Sequence, residues 1–242
     1  MSVSNHLIEA ARSLSSEVEK LHFSSPVTHV YNPLNYAWKA HEAYIQKWGN
    51  SRKRILFMGM NPGPFGMAQT GIPFGEIAHV RDWIGIATPV DKPAQEHPKR
   101  IIEGFNCQRS EVSGRRLWGF FKEHFIKPEA FFESQFVLNY CPLVFMEASG
   151  RNRTPNKLLA EESEPLYALC DAHLRAVLSA LGIESLVAVG AFAENRARCA
   201  TKGRYSLQIT RILHPSPASP LANNGWGEKV LAQLKTMNLE LW

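Results

Sequence analysis

The chain has 242 residues, 27 of them Lys or Arg against 22 Asp or Glu, for a formal net charge of +5. That length buries a full core without disulfide or metal support, and residues 1–242 are read as one domain. The mild positive balance suits a polyanionic partner without demonstrating one, and no apolar run reaches the ~18 residues that a membrane span needs.

The N-terminal stretch MSVSNHLIEAARSLSSEVEK has no charged segment leading into an apolar one. No secretory signal is therefore expected, and the chain is expected inside the cell. The cysteines Cys107, Cys141, Cys170 and Cys199 stand far apart, with no CxxC spacing. Such spacing gives a zinc or iron–sulfur site no support, and neither a metal nor a cofactor is expected.

In chain order, Leu7, Ala11, Leu14, Val18 and Leu21 recur at steps of three or four and predict an amphipathic helix over residues 4–22. A second helical stretch follows near Ala37 to Trp48. Ile55-Leu56-Phe57-Met58 then reads as a buried strand, and it breaks into a loop, through Glu76, rich in glycine and proline. Glycine lets backbone approach a ligand and proline sets a loop's shape in advance. The first polar side chain this loop presents is Asn61. Ile77 to Ile86 predicts a short helix, and Thr88 to Pro98 a surface loop.

Ser113 to Phe125 carries Leu117, Phe120, Phe121 and Phe125 at helical spacing, with Ser113 as the expected N-cap. Phe136-Val137-Leu138 is a short strand running into Asn139. A long helix is expected from Glu164 to Leu181, a buried strand over Leu186 to Val189, and a helix from Phe192 to Cys199. Leu207 to Leu213 is the last strand and runs directly into His214; a helix from Gly225 to Met237 closes the chain.

Strands alternating with helices imply an α/β fold, a three-layer αβα arrangement around a central, mostly parallel four-stranded sheet. Three of the four strands deliver a polar residue at or just past their carboxyl end: Asn61, Asn139 and His214. In a parallel sheet those ends share one edge, where open α/β folds keep their ligands. The three side chains should therefore converge.

The order of residues around them is more specific. Met60 to Met67 (MNPGPFGM), Gln69 to Glu76 (QTGIPFGE), His97 to Arg100 (HPKR), Ser110 to Phe121 (SEVSGRRLWGFF), Asn139 to Leu143 (NYCPL) and His214 to Trp226 (HPSPASPLANNGW) occur in sequence. Together they resemble the single-strand-selective monofunctional uracil-DNA glycosylases, a branch of the uracil-DNA glycosylase superfamily. The resemblance runs from about Phe23 to the C-terminus. It implies hydrolysis of the N-glycosidic bond of uracil in single- and double-stranded DNA, by a monomer working with the DNA, as the first step of base excision repair.

The resemblance also implies roles. Asn61 orients the attacking water, a task for which an amide needs no titration. His214 donates to O2 of the departing base, and the following Pro215-Ser216-Pro217 fixes its aim. Asn139 reads the base edge: one amide can donate to O4 and accept from N3–H of uracil, whereas cytosine meets it with two mismatches. Phe74 stacks on the extruded base, and Phe65 counts among the substrate-binding residues. Met60 and Gly63 line the side near C5, where the glycine leaves room for a water or a substituent, so that 5-hydroxymethyluracil enters as well. No motif lysine is available for a Schiff base, which leaves an abasic site and an uncut strand.

The segment after His214 supplies the family's DNA-inserting loop, here Ser216, Pro217, Ala218 and Leu221. It departs from the pattern: Ala218 stands where arginine is usual, and Asn224 where a lysine is expected. Leu221 is then the one sizeable apolar side chain available as a wedge; the competing reading tucks it against Trp226 as loop packing. Lys99, Arg100, Arg115, Arg116 and Arg151 are candidate phosphate contacts. The alternatives are a mismatch-directed (G:T or G:U) glycosylase, against which the Phe74 motif and the histidine motif argue, and a non-catalytic DNA-binding relative, against which the intact Asn61 and His214 argue.

Overall fold

The computed structural model describes residues 2–203, 206–237 and 239. Helix α1 (Val3–Val18) is capped by Ser2, whose hydroxyl accepts from the Asn5 amide, and it buries Leu7, Ala11, Leu14 and Val18. Strand β1 (Val27–Tyr31) follows, then the short α2 (Pro33–Tyr36) and α3 (Trp38–Trp48). Strand β2 (Ile55–Gly59) is buried at every position, as expected of a central parallel strand. Beyond it come the single turn α4 (Met67–Thr70), α5 (Ile77–His79) continued by a π-type turn over Val80–Ile84, and α6 (Val112–Phe125).

Helix α7 (Pro128–Ser134) leads straight into β3 (Gln135–Asn139), which is followed by β4 (Val144–Glu147) and β5 (Asn152–Arg153). The long α8 (Ala160–Leu181) precedes β6 (Ser185–Val189), α9 (Ala191–Thr201), β7 (Gln208–Ile212) and α10 (Trp226–Thr236).

The main sheet has the order β3-β2-β6-β7 with every pairing parallel. After β3 the chain crosses to the other side of β2 to form β6, so the order reverses at β2, the position at which such sheets open a crevice. The register sets Gly59 against Asn139. Both faces are covered by helices, and β7, half exposed, forms one edge. On one side Phe57 meets Phe121 and Phe131 with ring centroids 4.8 and 6.3 Å away, and Trp48 stacks on Phe132 at 4.5 Å. This aromatic cluster fixes α6 and α7 against the strands that carry the loops.

Two features differ from the expectation. A second, antiparallel sheet of order β1-β4-β5 stands beside the first. Its strands are two to five residues long with no clean alternation, so periodicity does not reveal them. The long helix begins at Ala160 rather than Glu164, because Glu162 satisfies its start: Glu162 Oε2 accepts from the Leu159 amide at 3.2 Å, and Oε1 accepts from the Ser24 amide and hydroxyl. Pro165 is thereby carried inside the helix.

Candidate active site

The carboxyl edge of the main sheet opens into a cavity of about 340 Å³ lined by Met60, Asn61, Pro62, Gly63, Phe74, Glu111, Ser113, Asn139, Asn152, Thr154, His214 and Ser216. The end of β3 and the loops after β2 and β7 thus deliver Asn139, Asn61 and His214 to one place, as parallel strand ends must.

Asn61 is oriented by its own amide. Its Nδ2 donates to the Leu143 carbonyl at 3.1 Å and, at the limit of hydrogen bonding, to that of Pro62 at 3.5 Å. With the donor end occupied by backbone, the carbonyl Oδ1 is the end available to a water.

His214 is fixed as sharply. The Ser216 amide donates to Nδ1 at 3.1 Å, so Nδ1 is the unprotonated nitrogen and Nε2 carries the hydrogen. Burial pushes the imidazole pKa down to about 4, which keeps the ring a neutral donor at physiological pH. Behind it stands Gly190 with φ +94°; a Cβ there would lie 3.2 Å from the His214 Cβ and Cδ2. The glycine that closes β6 is therefore what lets the imidazole lie against the sheet.

Phe74 has φ +53°, a conformation costly for a bulky residue and one that aims its ring. A Cβ on Gly59 would lie 2.5 Å from the Phe74 ring and 2.7 Å from Asn139 Oδ1, so the missing side chain at Gly59 brings ring and amide together. Asn139 is buried, and among the described residues its Nδ2 has only the Met67 sulfur as partner, at 3.3 Å. A thioether is a weak acceptor, so this amide retains most of its capacity for a ligand.

The second sheet adds Asn152 and Thr154 to the lining, residues no motif had singled out. Asn152 Oδ1 is buried without a partner among the described residues. Ser113 lines the cavity rather than capping α6; Glu111 occupies the N-cap position, with φ −83° and ψ 114°. In the sequence nothing beyond the Ser110 to Phe121 motif sets Glu111 apart. It lies so close to the β2 loop that a Cβ on Gly63 would meet its Oε1 at 1.9 Å, and one on Gly66 its Oε2 at 1.9 Å. Glu111 thus takes the place a Gly63 side chain would have, while Gly63 itself still lines the cavity. Burial, reinforced by the nearby Glu76 charge, raises the Glu111 pKa to about 7. Glu76, bound by His79 Nδ1 at 2.7 Å and the Ser110 hydroxyl at 2.8 Å, is held below the ordinary value despite its own burial.

Phe65, expected in the pocket, stands outside its lining with the Arg109 guanidinium 3.9 Å over its ring and that of Arg100 at 5.5 Å. Of the loop after His214, Ser216 reaches the cavity while Pro217, Ala218 and Leu221 do not line it. Leu221 is 65% exposed, so it is not tucked against Trp226, whose Nε1 instead donates to the Leu213 carbonyl at 2.9 Å. Arg116 is committed within the protein: it donates to the Pro215 carbonyl at 2.9 Å and to Asn223 Oδ1 at 3.0 Å, clamping this loop to α6. Among the described residues, no group of three or more His, Cys, Asp or Glu side chains is gathered as a metal would require. No helix among them is long and apolar enough to cross a membrane.

Comparison with known proteins agrees with this geometry. Residues 46–235 match the uracil DNA glycosylase superfamily. The chain is 46% identical over 239 residues to the single-strand selective monofunctional uracil DNA glycosylase of Mus musculus, covering 98% of this chain and 86% of that protein. It is 48% identical over 227 residues to the protein of the same name from Bos taurus, covering 93% and 84%. In fold it is similar to the crystal structure of wild-type SMUG2 from Pedobacter heparinus, with a TM-score of 0.68 at 20% identity over 99% of this chain and 100% of that one. Near-half identity over almost the whole length, on a sheet edge that gathers the same motifs, means that the chain belongs to the single-strand-selective monofunctional family of the uracil-DNA glycosylase superfamily.

Proposed function

We propose that this protein is a monofunctional DNA glycosylase that hydrolyses the N-glycosidic bond of uracil and related damaged bases such as 5-hydroxymethyluracil, in single- and double-stranded DNA, and leaves an abasic site. The observation that carries this reading is the pairing of Asn61 and His214 in one cavity, each with its orientation fixed by backbone. Cleavage of the bond makes the sugar cationic and the leaving base anionic, so catalysis needs a placed water and a donor at the base. Asn61 Oδ1 holds the water, His214 Nε2–H donates to O2 of the base, Asn139 reads O4 and N3, and Phe74 stacks on the ring. The target nucleotide is inaccessible in a stacked duplex and must be extruded or already single-stranded. No cofactor takes part, and the protein acts as a monomer where the DNA is.

The test is base release from single-stranded and paired oligonucleotides carrying one uracil, read as strand breakage after alkali. Alkali-dependent breakage in the presence of EDTA is expected, with none at G:T pairs. Breakage without alkali, a covalent adduct trapped by borohydride, or no alkali-labile site would each overturn the reading.

Leu221 gives a further expected result. Opening a base step costs a few kcal/mol, which an inserted apolar side chain offsets. Because Leu221 already projects into solvent, Leu221→Ala should leave the melting temperature nearly unchanged. It should slow uracil release from paired sites about tenfold, on the order of one lost wedge contact, with little effect on single strands. Equal slowing on both substrates in single-turnover assays would exclude a wedge.

A further inference from the structure

Two arginines beside the cavity share one aromatic ring and no carboxylate. The Arg109 guanidinium lies 3.9 Å from the centroid of the Phe65 ring, and that of Arg100 lies 5.5 Å from it. Arg54, Arg196 and Arg198 each pair with an acidic side chain, whereas Arg100 and Arg109 make no ion pair among the described residues. A ring face attracts a cation through its quadrupole and uses none of its N–H groups. Arg109 is exposed and keeps those donors free of protein partners among the described residues. Arg100 gives Nη1 to the Lys99 carbonyl at 2.7 Å, and its Nε is buried without a partner among the described residues. Two positive groups on one ring repel each other, and an anion from outside would complete the arrangement.

The cluster is held in place before any ligand arrives. The buried Tyr31 hydroxyl donates to the Arg100 carbonyl at 2.9 Å and accepts from the His97 amide at 2.6 Å, which ties this segment to β1. Gly150, at φ +82°, lies against the same segment: a Cβ there would stand 3.3 Å from Arg100 Cζ. Phe65 is two residues past Gly63, and Arg109 two residues before Glu111; Gly63 and Glu111 both line the cavity. Two residues span at most about 7 Å, so both segments run directly from the cavity wall to the cations. Resting on the proposed function, a strand that places one nucleotide in the cavity has a phosphate on each side of it. We propose that Arg109 and Arg100, carried on Phe65, bind a backbone phosphate of the target strand next to the extruded nucleotide. Guanidinium N–H groups suit phosphate oxygens, and Phe65 serves the cations rather than stacking on a base. Because the site grips the strand that carries the base, it works without a complementary strand.

The experiment measures equilibrium binding of a single-stranded oligonucleotide at several salt concentrations. The oligonucleotide carries one 2′-fluoro-2′-deoxyuridine, whose fluorine disfavours a cationic sugar and so blocks cleavage. Arg109→Gln removes one charge beside the cavity. Arg54→Gln removes one at the opposite, amino edge of the sheet, where Arg54 pairs with Glu184. Arg109→Gln is expected to weaken binding about fivefold and to flatten the slope of log affinity against log salt by about 0.7, the counterion release of one phosphate on a single strand. Arg54→Gln should leave that slope within about 0.2 of the wild type. Phe65→Leu keeps both charges and should still weaken binding about threefold, because the guanidinium groups lose their support. An unchanged affinity and slope in Arg109→Gln, or an equal loss in Arg54→Gln, would overturn the site. A Phe65→Leu variant that binds as tightly as the wild type would overturn the part given to the ring. These results leave the proposed function standing as long as the wild type releases uracil from the matched deoxyuridine strand. A wild type that releases none would instead overturn that function, and with it the placing of this phosphate beside an extruded nucleotide.

Discussion

Asn61→Ala is expected to slow uracil release by at least ~10²-fold in single-turnover assays, the scale of losing one well-placed catalytic group, while DNA binding persists. The expectation rests on the division of labour within one amide. The nitrogen end is committed to the Leu143 carbonyl at 3.1 Å, so the oxygen end cannot flip away from the cavity without giving up that bond. Alanine removes both ends. The loss at the Leu143 carbonyl costs stability on the order of 1 kcal/mol, which a melting curve registers separately from the rate. The loss at Oδ1 removes the only part of Asn61 that a water could use. A variant that melts slightly earlier but releases uracil at close to the wild-type rate would mean that the amide is a loop tie and that the water is held elsewhere.

Much of this site was legible in the sequence because of how parallel sheets are built. A buried strand ending in a polar residue needs no structure to be recognised, and Asn61, Asn139 and His214 each follow such a run. Three of these ends in one chain already imply a common edge. The motifs around them, and the family they resemble, carry the rest of the recognition, and the comparisons bear out both the family and the α/β fold.

What stayed hidden has two physical causes. Strands β1, β4 and β5 are short and gain their pairing from tertiary contact, so nothing in Asn152 or Thr154 announces a cavity wall. Glu111 was hidden by ambiguity: a glutamate just before a helix reads as a favourable N-terminal charge. Only the folded chain brings Gly63 and Gly66 against it and leaves it room. The same ambiguity made Ser113, a good capping residue type, the expected N-cap, whereas the cap is Glu111, two residues earlier, and Ser113 faces the cavity. Among the candidate phosphate contacts, position in the sequence does not separate Arg116, which clamps a loop, from Arg100, whose guanidinium lies 5.5 Å over Phe65.

His214→Ala should be the other severe lesion, slowing uracil release by roughly 10²- to 10³-fold, as for removal of an oriented donor to developing negative charge. The mechanism requires the ring to be neutral with its hydrogen on Nε2, and this is separately measurable. The Ser216 amide can donate to Nδ1 only while that nitrogen is unprotonated. Imidazole nitrogen shifts in the wild type should therefore report a neutral Nε2–H ring from pH 8 down to about 5, given a pKa pushed down to about 4 by burial. Stability carries the same signature with a definite sign. The unfolded chain takes up the proton near pH 6.5, before the folded protein does, so the stability linked to His214 is complete above that pH. It is lost as pH falls from about 6.5 towards 4. His41 and His173, likewise buried and pushed down to about 4, contribute slopes of the same sign. His214→Ala should therefore reduce the acid-side loss of stability without abolishing it, while nearly eliminating base release. An imidazole that titrates near pH 6.5 in the folded wild type would mean a solvent-exposed ring, and a variant that retains its rate would mean that charge on the departing base is met by another donor.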